Sequence, residues 1–418
     1  MTAHPRRVRV GMVVYGDLTH DSRVRREAAA LAGAGFDVAV ACLAADSGAT
    51  DLPEEVRVVV CRPAAGSVVP GTASPFIEVH RTRVRMIVGR VRWLVGYVRT
   101  LRSWGRMAVE ACGPVDIWHV HDLTGLAAVA RLIPVSAPIV YDAHELFLET
   151  GTARRLPAPA RALLRRYERR LVRRAAAVVT VNQELAAVLR RRYSPARIEV
   201  VHNCPPRWSP HVAPPTLVRD AAGISDDAFV ILYHGALSAH RGVEQLMEVL
   251  LTPGLETAHL ALLGFGEMRD RYAEMADEPR WAKRVHVLDP VSPADLVPWV
   301  ASADVGAMPI QASTLNHFLS TPNKLFECLT AGVPVVASDF PAMRAIVANE
   351  PDGRLGIVCD PADVGAIAAA LRSIRDLDPV EAAAIRARCR AAADARWNWE
   401  TESARLVRLF RTLASDRR

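Results

Sequence analysis

Residues 320–338 read STPNKLFECLTAGVPVVAS, and the rest of the chain is understood from them. Pro322 suits the first turn of a helix, where its missing N–H would be unpaired anyway. Lys324-Leu325-Phe326-Glu327-Cys328-Leu329 continues that helix, Ala331-Gly332 turns the chain, and 333–337 is apolar enough for a buried strand. The open N–H groups of the helix start carry partial positive charge and point out of the preceding loop. Lys324 and Glu327, three residues apart, share one helical face. A cation with free amides suits a phosphate, and a carboxylate one turn on suits the paired hydroxyls of a ribose. The plainer alternative is a short αβ connection carrying a surface ion pair. One detail favours the pocket: the chain has only two lysines, Lys283 and Lys324, against fifty arginines. Where arginine is the default cation, a compact point charge stands out.

A chain of 418 residues is too long for one core and suggests two or three domains. Half of its residues are hydrophobic, so a large core is available. The seven cysteines are scattered without a C-x-x-C, which reads as reduced thiols in a cytosolic protein. No apolar run reaches membrane-spanning length, and the first apolar segment is too short for a signal peptide. The first 207 residues carry a net charge of +13 and the remainder −6. That asymmetry points to an anionic partner for the first half: membrane, nucleic acid or acidic substrate.

Residues 8–14 are a β-branched apolar run ending at Gly16-Asp17. Asp21-Ser22 then caps a helix to about residue 34, and a second strand follows at 36–43. The unit is of dinucleotide-binding type but lacks G-x-G-x-x-G. Gly16 is therefore either a phosphate contact or a turn needing positive φ. Arg23 and Arg26 either reach an anion over the first loop or pair with Asp21 and Glu27 on a solvated face. Residues 80–107 hold eight arginines and no acidic residue, with an apolar helical stripe and interleaved aromatics. Arg85, Arg92, Trp93 and Trp104 are candidates for contact with an anionic membrane; the alternative is an ordinary crossover helix packed on a sheet.

Strands at 115–120 and 138–141 lead into His119-Val120-His121-Asp122 and Asp142-Ala143-His144-Glu145. Carboxyl ends of parallel strands are where open α/β sheets gather ligands. H-x-H-D hints at a metal, but the sequence offers no evident complementary cluster, so none is expected. His144 reads as a general acid/base or a ligand of sugar hydroxyls. A second series of strands begins at 229–233, beyond the proline-rich 203–215, and the chain closes in helices. The predicted class is α/β, with two doubly wound Rossmann-like domains facing across a cleft. Their expected extents are 1–207 and 208–400, with 401–418 a helix packing back toward the first.

These motifs resemble those of glycosyltransferase family 4, retaining enzymes of the GT-B fold, over nearly the whole chain. Gly235-x-Leu237-x-x-x-Arg241-Gly242 is similar to the family's G-R-L-x-x-x-K-G, which implies that Arg241 contacts the donor diphosphate. Lys324-x-x-Glu327 with Ala331-Gly332-x-Pro334-Val335-Val336 resembles the donor motif, which implies Glu327 on the ribose. Pro138 with His144 resembles P-x-V-x-T-x-H-D, which implies His144 beside the reacting sugar. His144, Arg241, Lys324 and Glu327 are thus the expected catalytic set. Donor binding extends to Gly16, Gly235, Gly264, Asn323 and Leu325, and acceptor binding to Asp17, Asp21, Arg23, His121 and Asp122. Two departures stand out. Leu319 occupies the first glutamate of the family's E-x7-E, as in a P-N-K-x-F-E subgroup, and Ala236 replaces the arginine after Gly235.

The expected reaction moves a sugar from a nucleoside-diphosphate donor to an acceptor hydroxyl, with retention and without a metal or other cofactor. The acceptor is lipid-linked or a small molecule, in glycolipid, cell-surface polysaccharide or glycosylated-metabolite synthesis. The protein is placed in the cytoplasm, free or peripheral on the inner face of the plasma membrane, with no nucleic-acid partner. Rival readings are a sugar-nucleotide epimerase of the same fold, a non-catalytic scaffold, and a basic nucleic-acid-binding protein, which lacks any recognition motif.

Overall fold

A computed structural model describes residues 6–45, 52–63, 83–209, 216–281 and 283–416. The chain divides into two compact units. The first comprises Met1–Val181, Leu185–Val201 and Ser403–Arg418; the second comprises Asn182–Glu184 and His202–Glu402. Residues 210–215 of the proline-rich stretch lie outside the described residues.

Among the described residues the first unit holds seven strands: β1 Arg9–Val13, β2 Asp37–Cys42, β3 Val56–Val60, β4 Ile117–His121, β5 Ile139–Ala143, β6 Ala177–Thr180 and β7 Ile198–Val200. They pair in parallel in the order β3-β2-β1-β4-β5-β6-β7. The predicted helix after β1 is present as Ser22–Gly33, with Asp21 accepting from the Val24 N–H as its cap. Strand β3 was not legible: its run Val56-Arg57-Val58-Val59-Val60 is short and interrupted by arginine.

Among its described residues the second unit has six strands: β8 Phe229–Ala236, β9 Ala258–Phe265, β10 Val285–Leu288, β11 Val305–Met308, β12 Val335–Ser338 and β13 Gly356–Cys359. They are again parallel, in the order β10-β9-β8-β11-β12-β13. Both faces of this sheet are covered. Val230 and Leu232 of β8 enter one apolar cluster, while Ile231 and Tyr233 enter the other. Alternation along a strand sends neighbours to opposite faces, so a β8 buried on both sides reads as an unbroken apolar run. Each sheet reverses strand order beside its first strand, β1/β4 in one and β8/β11 in the other. Such switch points open a crevice at the carboxyl ends.

The arginine-rich segment forms a helix, Arg83–Cys112. Its second half is a packed crossover helix: Leu101, Trp104, Ala108 and Cys112 are buried at helical spacing. At Gly105 an added Cβ would lie 2.3 Å from the Ala128 carbonyl oxygen, so the helix is pressed against its neighbour Asp122–Val129. Trp104 is therefore corrected from membrane anchor to core residue. It is fully buried, donates from Nε1 to the Cys61 carbonyl at 2.8 Å, and meets Tyr15 edge-on. Arg92 is exposed, as are Leu94 and Val95 beside it. The side chains of Arg85 and Trp93 lie outside the described residues. Among the described residues, no helix is long and apolar enough to cross a membrane. All seven cysteines are buried and free.

Replacing Trp104 by alanine should cost about 3–5 kcal/mol of stability, as for other buried large aromatics. Urea unfolding followed by tryptophan fluorescence measures this. A loss below about 1 kcal/mol would return Trp104 to the surface role.

Candidate functional site

In the second unit the helix predicted at the opening stretch is Asn323–Ala331, with Pro322 at its cap and Gly332, at φ +70°, ending it. Its apolar face is consumed by the core: Leu325, Phe326, Cys328 and Leu329 are all buried. Leu325 is thereby corrected from the donor-binding set, because its side chain is wholly enclosed. The opposite face presents Asn323, which is exposed, with Lys324 and Glu327 partly so.

These two charged residues do not pair on the surface in isolation; β8 receives both. The Lys324 Nζ lies 3.4 Å from the centre of the Tyr233 ring, a cation–π contact. The Glu327 Oε2 lies 2.9 Å from Nε2 of His234, which is buried. Gly235 follows at φ +96°, a conformation that disfavours a side chain, and an added Cβ would stand 3.9 Å from the Lys324 Nζ. Arg241 approaches from the next loop, where its Nε meets the Ser238 Oγ at 3.2 Å. Burial and the nearby Arg241 depress the Lys324 ammonium well below the ordinary lysine range, against the opposing pull of Glu327. Two cations thus share a site whose nearby carboxylate is engaged by a histidine, an arrangement that an incoming anion would relieve.

Gly264 has a simpler reason to be glycine. A Cβ there would fall 2.0 Å from the Gly235 carbonyl oxygen, its register partner on β8. Leu319 is buried, and Ala236 is exposed at the end of β8.

In the first unit, the carboxyl ends of β4 and β5 and the first turns of Ser22–Gly33 enclose a polar cluster. Arg23 is only 4% exposed; it donates to both Asp142 oxygens at 2.9 and 3.0 Å and to the Val201 carbonyl at 2.7 Å. It also pairs with Glu27 at 3.1 Å. Arg23 therefore neither reaches an external anion nor lies on a solvated face, and it leaves the acceptor set. His121 leaves it too, being fully buried on β4. Asp17 and Asp21 cap their helices by accepting from the Thr19 and Val24 N–H groups. Gly16 has no positive φ, and a Cβ there would meet only Val14, at 3.7 Å.

The complement that the sequence did not reveal for His119 and His121 is supplied by Glu27 and Asp142. One donor atom from each of the four lies within 4.8 Å of the others. These carboxylates are answered by the Arg23 guanidinium, which sits hydrogen-bonded among them. Burial opposes the Asp142 charge, yet Arg23 and His144 hold its carboxyl well below the usual range. Burial pushes Glu27 well above that range and keeps His119 neutral. No charge pattern in the sequence links Glu27 to residues 119–142, since only the β1/β4/β5 pairing brings them together.

His144 stands above this cluster, about one-fifth exposed. Its Nδ1 lies 3.6 Å from an Asp122 oxygen and its Nε2 3.5 Å from Asp142 and 3.3 Å from the His121 Nδ1. Asp122 takes a left-handed φ of +56° at the helix start. Burial alone would lower the His144 pKa; the two flanking carboxylates outweigh it and push it up to about 10.

Comparison with known families agrees with this architecture. Residues 22–204 match the model for "Glycosyltransferase Family 4" and residues 228–376 that for "Glycosyl transferases group 1". With the two parallel-sheet units, these matches support a GT-B glycosyltransferase. Among curated proteins, a glycogen synthase of Mycobacterium tuberculosis is 26% identical over 310 residues, covering 71% of this chain and 68% of its own. A sucrose-phosphate synthase from Thermosynechococcus elongatus superposes with a TM-score of 0.71 at 19% identity, over 98% of this chain and 100% of that one. Anabaena HepE in complex with UDP and glucose gives 0.66 at 16% identity, over 97% and 100%. At such identities the structural likeness establishes the fold.

A folded pKa raised above the free imidazole value of about 6.5 has a definite linkage sign. The stabilisation from protonated His144 is complete below about pH 6.5 and is lost as pH rises through about 10. The stabilities of wild type and His144→Gln, measured in urea, should therefore converge between pH 7 and 10. Parallel curves would mean a neutral His144.

Proposed function

We propose that this chain is a retaining glycosyltransferase whose second unit binds a nucleoside-diphosphate sugar. One observation carries the reading: Lys324 and Arg241 crowd the start of Asn323–Ala331 while Glu327, one turn on, faces β8. The two cations and the first amides of the helix would take the diphosphate, and Glu327 the ribose. Charge developing on the leaving diphosphate is met by groups already in place, so positioned cations need no reorganisation during transfer. On this reading no metal is required for that stabilisation, and the leaving phosphate accepts the proton of the acceptor hydroxyl. His144, partly exposed just beyond β5 with its charge favoured by Asp122 and Asp142, is assigned to a place beside the transferred sugar. The bound UDP of the Anabaena structure supports a uridine donor as the first to test.

The basic first unit, with exposed Arg92, Arg99, Arg102 and Arg106 around Leu94 and Val95, favours a lipid-linked acceptor at an anionic membrane surface over a small-molecule one. The free, buried cysteines are in keeping with a cytoplasmic setting.

Calorimetric titration with UDP, GDP, ADP and dTDP tests the site. One nucleotide should bind at micromolar level, and Glu327→Ala should weaken it by ~1.5–3 kcal/mol, or ten- to a hundredfold, the worth of a charged hydrogen bond. Lys324→Ala should weaken the diphosphate more than the corresponding monophosphate. Folded protein that binds none of the four would end the assignment.

A further inference from the structure

The opening motif accounts for Glu327 but not for its partner. His234 is 1% exposed, lies in the interior of β8, and is held there by the register with Leu263 of β9. Its Nε2 is 2.9 Å from the Glu327 Oε2. A carboxylate only accepts hydrogen bonds, so this ring nitrogen carries the proton and donates. A glutamate has three side-chain torsions, the last of them broad, and needs an external contact to fix its oxygens. A buried imidazole on a central strand is a rigid source of that contact, whereas a solvated partner would not be.

We propose that His234 is a positioning residue that fixes the Glu327 carboxylate for the paired hydroxyls of a ribose, and so restricts the donor to ribonucleoside diphosphate sugars. The proposal rests on the nucleotide-sugar reading of this site. Its neighbour Tyr233 holds Lys324 by the ring contact described above, so consecutive residues of β8 hold the two charged groups of the helix. The end of β8 thereby acts as a template. Lys324 is set for the diphosphate and Glu327 for the sugar of the nucleoside, at the spacing that one helical turn imposes.

The test is calorimetry on the full chain with UDP, GDP and ADP, followed by the 2′,3′-dideoxy form of whichever binds best. In wild type the ribose form should bind about tenfold or more tightly than the dideoxy form. His234→Ala should weaken the ribose form about tenfold while leaving the dideoxy form unchanged, and His234→Gln, whose amide can donate, should restore most of the difference. If His234→Ala does not fold, His234→Asn, too short to reach Glu327, carries the same comparison. An unchanged ribose affinity, or equal weakening of both forms, overturns the proposal while leaving the nucleotide site standing. Wild type that binds only dTDP overturns this inference alone, and wild type that binds none of the three, nor dTDP, overturns the nucleotide reading and this inference with it.

Discussion

Parallel pairing is the constraint on which both units depend. Every strand in a parallel sheet ends at the same edge, so loops that are distant in sequence are gathered along one line. The price is burial on both faces, which leaves the strands apolar and consigns polar chemistry to their ends. In the second unit, β8 and the helix preceding β12 place His234, Gly235, Arg241, Lys324 and Glu327 together. In the first, β4 and β5 with the helix after β1 do the same for Glu27, His119, His121, Asp142 and His144.

The two gatherings differ in electrostatic character. That of the first unit is closed: Arg23 enters as an internal cation, and its hydrogen bonds to Asp142 and the Val201 carbonyl tie the Ser22–Gly33 helix to the ends of β5 and β7. Removing one partner of such a buried pair strands the other's charge in a poorly solvating interior, which makes the cluster an all-or-none feature. The C-terminal helix seals it from another side, as Phe410 packs edge-on against His119 and Phe36. The gathering of the second unit is open by comparison. It holds two cations whose mutual repulsion is answered only in part by a carboxylate already bonded to His234.

This difference explains which charged residues are taken into the interior and which are not. Arginine at a helix start reads in sequence as a free cation, because nothing local shows what lies opposite it. Arg23 found Asp142, more than a hundred residues away, and was lost to the interior. Trp104 followed the same course: an aromatic beside a basic stripe suits an interface equally well as a core, and only the close approach at Gly105 decided for the core. Lys324 and Glu327 lie off the core because the apolar residues between them, Leu325 and Phe326, take the buried face of the same helix and leave the two charges on the other.

Local pattern alone determined the helix at 323–331, the caps at Asp21 and Gly332, the parallel strands other than β3 and β13, and the duplication into two α/β units. All of these follow from short-range sterics, capping and hydrophobic periodicity, which a sequence records directly. Tertiary structure alone decided the partners: His234 for Glu327, Tyr233 for Lys324, Arg23 for Asp142, and Glu27 for the two histidines of β4. Such pairings depend on strand order and register, and two strands adjacent in a sheet leave no mark of it in their own residues. The chemistry of a site is a property of pairs, and pairs are what folding supplies.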